Sequence, residues 1–187
     1  MNRKILVGFA FLATALVLAL AFREQIAGIA PTRELSAAGY YRRGLDSFKE
    51  RALDESILAL QRAIQTTPSR AEPHYDLAMA FESIGRPAEA IEEYQKAISL
   101  NPRLAGPRFN LAMIYRSQGK EQEAIAQLKE AIKGSPDCAG AHYILGQIYA
   151  SRERRDSAMA EFRKVLEINP GHKEAGEQLA ALEKKVR

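Results

Sequence analysis

Four segments of this chain end alike: ESILALQRAIQTTP at Pro68, EAIEEYQKAISLNP at Pro102, EAIAQLKEAIKGSP at Pro136 and SAMAEFRKVLEINP at Pro170. The prolines stand 34 residues apart. Self-similarity at such a period constrains a fold more than composition does. Each unit must be one supersecondary element that buries its apolar side only by stacking on copies of itself. Aligning the prolines divides the chain without gaps into residues 37–70, 71–104, 105–138 and 139–172, each beginning with alanine. The eighth place of the unit holds Gly44, Ala78, Ala112 and Gly146. The twentieth holds Ser56, Ala90, Ala124 and Ala158, and the twenty-seventh holds Ala63, Ala97, Ala131 and Val165. Small residues at fixed offsets let paired helices approach closely, while larger ones such as Leu77, Phe81, Ile91, Tyr94 and Ile98 fill the space between.

The punctuation predicts two helices per unit. Gly85 and Gly119 suit the left-handed residue that ends a helix. Pro87 can open a second helix, and Pro73 and Pro107 can sit in the first turn of first helices, without losing a hydrogen bond. The four terminal prolines stop the second helices. Arg51 and Glu153 replace glycine in the outer units, and Arg43 and Ser47 stand where later units carry leucine and an aromatic. Terminal units of a stacked array diverge in this way because one face has no neighbour. After His172, KEAGEQLAALEKKVR reads as a further helix with Ala175, Leu179 and Leu182 on one side, suited to cover the last unit. A partner-binding helix is the alternative there.

With its 34-residue period, recurring small residues and terminal proline, residues 37–172 resemble the tetratricopeptide repeat, a helix–turn–helix unit. The resemblance implies an all-α chain: a right-handed α-solenoid of four repeats with a capping helix over 173–187. It also implies a concave wall lined by first helices. The fifth place there holds Tyr41, Tyr75, Phe109 and Tyr143, and the ninth holds Leu45, Met79, Met113 and Gln147. Methionine is adaptable and recurs at permissive binding surfaces. The expectation is a groove that holds a peptide or helical segment of another protein, with Arg42, Asp76, Asn110 and Arg116 as polar contacts on its rim. The basic clamp by which some family members hold acidic chaperone tails is incomplete. Only Asn110 matches it, while Tyr75, Met79 and Ile144 stand at its other places.

Nothing in the sequence points to catalysis. It has no glycine-rich phosphate loop, no HExxH and no Cys/His spacing suited to zinc, so no cofactor or metal is expected. His74 and His142 share the fourth place two units apart, too far to share a metal, and read as packed helix residues. Glu92 and Glu93, on an outward-facing second helix, are expected to be solvated. Cys138 is the single cysteine, so no intrachain disulfide forms. The 27 basic and 23 acidic residues are interleaved along the chain, which gives no concentrated basic face for nucleic acid.

Before the repeats, residues 5–22 read ILVGFAFLATALVLALAF, with Thr14 as the only polar side chain. As a helix these 18 residues span about 27 Å, close to a hydrocarbon core of about 30 Å. Arg3 and Lys4 precede the run, whereas Arg23 and Glu24 cancel after it. The positive-inside bias then directs the repeats across the membrane. Residues 1–22 are therefore expected to be a signal anchor and 23–36 a linker that Pro31 interrupts. That layout implies a single-pass protein of the cytoplasmic membrane with its repeats on the outer, periplasmic side. Anchored repeat proteins of this layout commonly assist the assembly of envelope machinery. The alternatives are a soluble exported adaptor, cleaved after Ala21, and a scaffold that self-associates through its repeat edges.

Overall fold

The structure, a computed structural model, describes residues 35–184. The expected membrane helix over 5–22, most of the linker and residues 185–187 lie outside this range. No helix among the described residues is long and apolar enough to cross a membrane.

The described residues form nine helices and no strand. Four are first helices of 13 residues: α1 (Ala37–Lys49), α3 (Ala71–Ser83), α5 (Ala105–Ser117) and α7 (Ala139–Ser151). Four are second helices of 14 residues: α2 (Leu53–Thr66), α4 (Pro87–Leu100), α6 (Glu121–Gly134) and α8 (Arg155–Ile168). The last, α9, runs Lys173–Lys184.

Local chemistry sets these boundaries. The Ser36 side chain accepts a bond from the Gly39 amide, 3.2 Å away, and caps α1. Pro87 is the first residue of α4, and acidic residues occupy the first turn of every second helix. Each second helix ends two residues before its proline. Gly85 and Gly119 take φ of 74° and 73°, and the next amides, of Arg86 and Lys120, donate back to Phe81 and Tyr115 at 2.9 Å. This six-residue closure satisfies carbonyls at the helix end. The outer turns use the same geometry without glycine. Arg51 has φ 61° and Glu153 φ 57°, with matching bonds Ala52 to Ser47 and Arg154 to Tyr149. The fold therefore imposes the left-handed turn whether or not its sequence favours one.

The small-residue places form the spine of the packing. Ala78, Ala90, Ala97, Ala124, Ala131, Ala158 and Val165 are fully buried, as are Ser56 and Ala63. A methyl group on Gly44 would come within 2.6 Å of Leu60 Cγ, and one on Gly146 within 2.8 Å of the Phe162 ring. Within each unit the two helices pack together, and each second helix packs on the first helix of the next unit. One core cluster gathers around Leu60, Leu77, Tyr94 and Leu111, and a second around Leu128, Leu145, Phe162 and Val165. Helix α9 closes the second cluster. Its Ala175 is fully buried, Leu179 and Leu182 lean on the cluster, and Glu183 pairs with Arg163 at 2.9 Å.

Candidate functional site

Three of the fifth-place aromatics reach forward into the next unit, and the fourth, Tyr143, packs within its own. The Tyr41 hydroxyl donates to Asp76 Oδ2 at 2.5 Å, with the Arg70 guanidinium 5.8 Å from its ring centroid. Burial, with the Asp76 carboxylate second, pushes the Tyr41 phenol upward. Burial likewise raises the Asp76 carboxyl, although its bond from Tyr41 acts against that. Tyr75 lies against Tyr94, ring centroids 5.9 Å apart, and its hydroxyl oxygen would sit 2.9 Å from a methyl on Gly106. Phe109 covers Gly140 in the same way, 3.4 Å from where a methyl would be. Tyr143 stacks on His172 at 4.8 Å. Small second-place residues in the third and fourth units thus receive the aromatic of the unit before.

Asn110 and Asp76 are engaged rather than presented. Asn110 Nδ2 donates to the Tyr94 hydroxyl at 3.0 Å, and that hydroxyl donates to Glu82 at 2.7 Å. Burial is the main cause raising the Tyr94 phenol, followed by its bond to Glu82. Asp76 is buried, which takes it off the rim where the sequence placed it, whereas Arg42 and Arg116 are exposed. The ninth-place residues Leu45, Met79, Met113 and Gln147 are all half-buried. Met79 leans on the first core cluster, while Leu45 and Met113 belong to neither.

Between the two helices of a unit lies a tie that sequence reasoning missed. His74 Nδ1 bonds Glu93 at 2.6 Å, His142 Nδ1 bonds Glu161 at 2.7 Å, and Arg108 reaches Gln127 at 3.4 Å. Each links place four to place 23 of its own unit. His142 and Arg108 also bond the carbonyl of the preceding terminal proline, Pro136 and Pro102. Glu93 is consequently not the solvated carboxylate expected of it, since its side chain is only 12% exposed and also pairs with Lys96 at 2.7 Å. The recurring 19-residue spacing was the available signal. Cations also lie over aromatics at three turns: Arg86 on Phe81, Lys120 on Tyr115 and Arg154 on Tyr149, at 4.8 to 5.9 Å. Among the described residues no three His, Cys, Asp or Glu side chains gather as a metal site requires.

Two family models for the tetratricopeptide repeat match the chain, one over residues 71–104 and one over 109–173. Among solved structures, MamA is similar at 26% identity and a TM-score of 0.70, over 79% of this chain and 81% of that one. PilF of Pseudomonas aeruginosa is similar at 26% identity and a TM-score of 0.70, over 81% and 69% respectively. YrrB, described as a tetratricopeptide protein with an unusual peptide-binding site, shares the fold at 24% identity and a TM-score of 0.63, over 91% and 86%. No curated protein sequence matches.

Proposed function

Because this chain belongs to the tetratricopeptide repeat family, whose repeats are scaffolds that bind segments of other proteins, we propose that it holds a peptide or helical segment of a partner along its first helices. The observation that carries this reading is the ninth-place row. Leu45 and Met113 are half-buried apolar side chains outside both core clusters, and Met79 and Gln147 continue the row. A contiguous apolar strip that reaches solvent usually marks an interaction site. The forward-reaching aromatics fix the spacing of the helices that carry it, and Arg42 and Arg116 remain available for polar contact. The comparison with YrrB, itself described as peptide-binding, is in keeping with this use of the fold.

The apolar run over 5–22, with Arg3 and Lys4 before it, supports an N-terminal anchor in a cytoplasmic membrane and repeats on the outer face. Tethering would raise the effective concentration of the groove near a membrane complex, which suits a role in assembling one. Met79→Glu together with Met113→Glu should abolish capture of the partner from crosslinked native membranes while leaving the helical circular-dichroism signal intact. Capture that survives both changes rules out this row as the site. Recovery of a mature chain beginning at Phe22 would replace the anchor with a cleaved signal and make the protein a soluble exported adaptor.

A further inference from the structure

His142 stands where three elements meet: α7, which carries it, α8 of the same unit, and the turn that closes the unit before. Its Nδ1 lies 2.7 Å from Glu161 Oε2, and its Nε2 lies 3.1 Å from the Pro136 carbonyl. A backbone carbonyl has no proton to give, so Nε2 must donate. A carboxylate has none either, so Nδ1 makes its bond only when the ring carries a second proton. A neutral ring can serve one of these partners and turns a lone pair toward the other.

The preceding unit fills the same place with a group that is always a double donor. Arg108 donates through Nη1 to Gln127 Oε1 and through Nε and Nη2 to the Pro102 carbonyl, each at 3.4 Å. A guanidinium keeps its charge at every working pH, and a histidine that makes both bonds must be an imidazolium. The second unit is different. His74 Nδ1 bonds Glu93 at 2.6 Å, but its Nε2 makes no bond among the described residues, so one ring proton suffices. Glu93 also has Lys96 as a partner, whereas His142 is the one cationic partner of Glu161 among the described residues.

We propose that His142 is a proton-operated latch between the third and fourth units. As an imidazolium it holds Glu161 and the Pro136 turn together; on losing a proton it releases one of them, and the fourth unit loosens. Free histidine gives up its second proton near about pH 6.5. The closed latch keeps that proton, so its contribution to stability is fully present below that pH and is lost as pH rises above it.

The charged groups around the ring are few. On the register that puts Gln61, Gln65 and Lys96 beside His74, α6 brings Lys129 and Lys133 to His142, and α8 brings Lys164 alongside Glu161. Lys133 and Lys164 pair with Glu130 and Glu167, and Lys129 is exposed, where water and salt screen it. In the turn, Asp137 is exposed and accepts from the Ser135 hydroxyl, and Cys138 is half-buried. His172, which stacks on Tyr143, accepts from the Ala175 amide through Nδ1 at 3.3 Å. Protonation removes that bond, so His172 acts on α9 with the opposite sign.

The test is hydrogen exchange of the full chain, resolved by peptide mass spectrometry at about pH 5.5 and about pH 8.5, with each rate divided by its intrinsic value. His172→Asn serves as the parent, because asparagine can still cap α9. Amides of α7 and α8 should lose about tenfold in protection between the two conditions, the worth of one charge-assisted bond. Those of α5 and α6, held by Arg108, should change by less than about twofold. His142→Arg with Glu161→Gln copies the third unit's pair and should make α7 and α8 equally indifferent to pH. An equal response in both units, or one that survives the double variant, would overturn the proposal. Should that variant not fold, nitrogen-15 NMR of histidine-labelled parent decides: protons on both ring nitrogens of His142 at about pH 7 support the latch, and a bare Nδ1 there overturns it.

Discussion

Replacing Arg51 and Glu153 with glycine should stabilise the two outer units. Both residues hold φ near +60°, and both side chains are exposed, with no ion pair among the described residues to lose. A side chain in the left-handed region costs about 1–2 kcal/mol. Glycine gives back about 0.5–1 kcal/mol through its greater freedom when unfolded, so the net gain is about 0.7 kcal/mol per turn. In a stacked array such a gain acts first on the unit that contains it. Amides of α1 and α2 should exchange about threefold more slowly in Arg51→Gly, and those of α7 and α8 in Glu153→Gly. With both changes, a urea midpoint followed by circular dichroism should rise by about 0.5–1 M, taking a slope of about 2 kcal/mol/M. The reciprocal change isolates the cause. Nothing lies within 4 Å of a methyl built on Gly85, so Gly85→Ala meets only the backbone term and should cost about 1 kcal/mol. A neutral Gly85→Ala, or outer-turn glycines that destabilise, would refute the argument from φ.

Two further predictions rest on burial. Gly146→Ala drives a methyl to 2.8 Å from the rigid Phe162 ring, so it should cost about 1–3 kcal/mol by overpacking, read as a lower urea midpoint. Asp76 has a folded pKa above its unfolded value because it is buried. Between those two values unfolding releases a proton, so its contribution to stability falls as pH rises upward from about 4 and stays unfavourable above the folded pKa. Asp76→Asn can still accept the Tyr41 hydroxyl, and should gain on the parent in thermal melts as pH climbs through that window. A variant that loses ground with rising pH would show that the ionised carboxylate is favoured in place.

The repeat itself was legible because its signals are local or strictly periodic. Small residues every 34 positions, prolines after second helices and glycines at inner turns each act through sterics that need no partner to be known. Periodicity also gave the fifth-place aromatics and the ninth-place row. It could not separate a side chain that lines a surface from one that locks two units together. Asp76 and Asn110 look like rim contacts until Tyr41 and Tyr94, from other helices, are seen to hold them. Glu93 looked solvated because its helix faces outward, yet His74, 19 residues earlier, draws it in.

Sequence alone therefore determined the object: helix pairs at a 34-residue period and the order in which they follow one another. Backbone sterics and hydrophobic periodicity are properties of the chain read in line. Tertiary structure alone decided which polar groups are consumed in holding units together and which remain for a partner. It also showed that the outer turns keep the left-handed geometry without glycine. The pairings that consume those polar groups join side chains 16 to 35 positions apart across helices, and no local pattern carries that information.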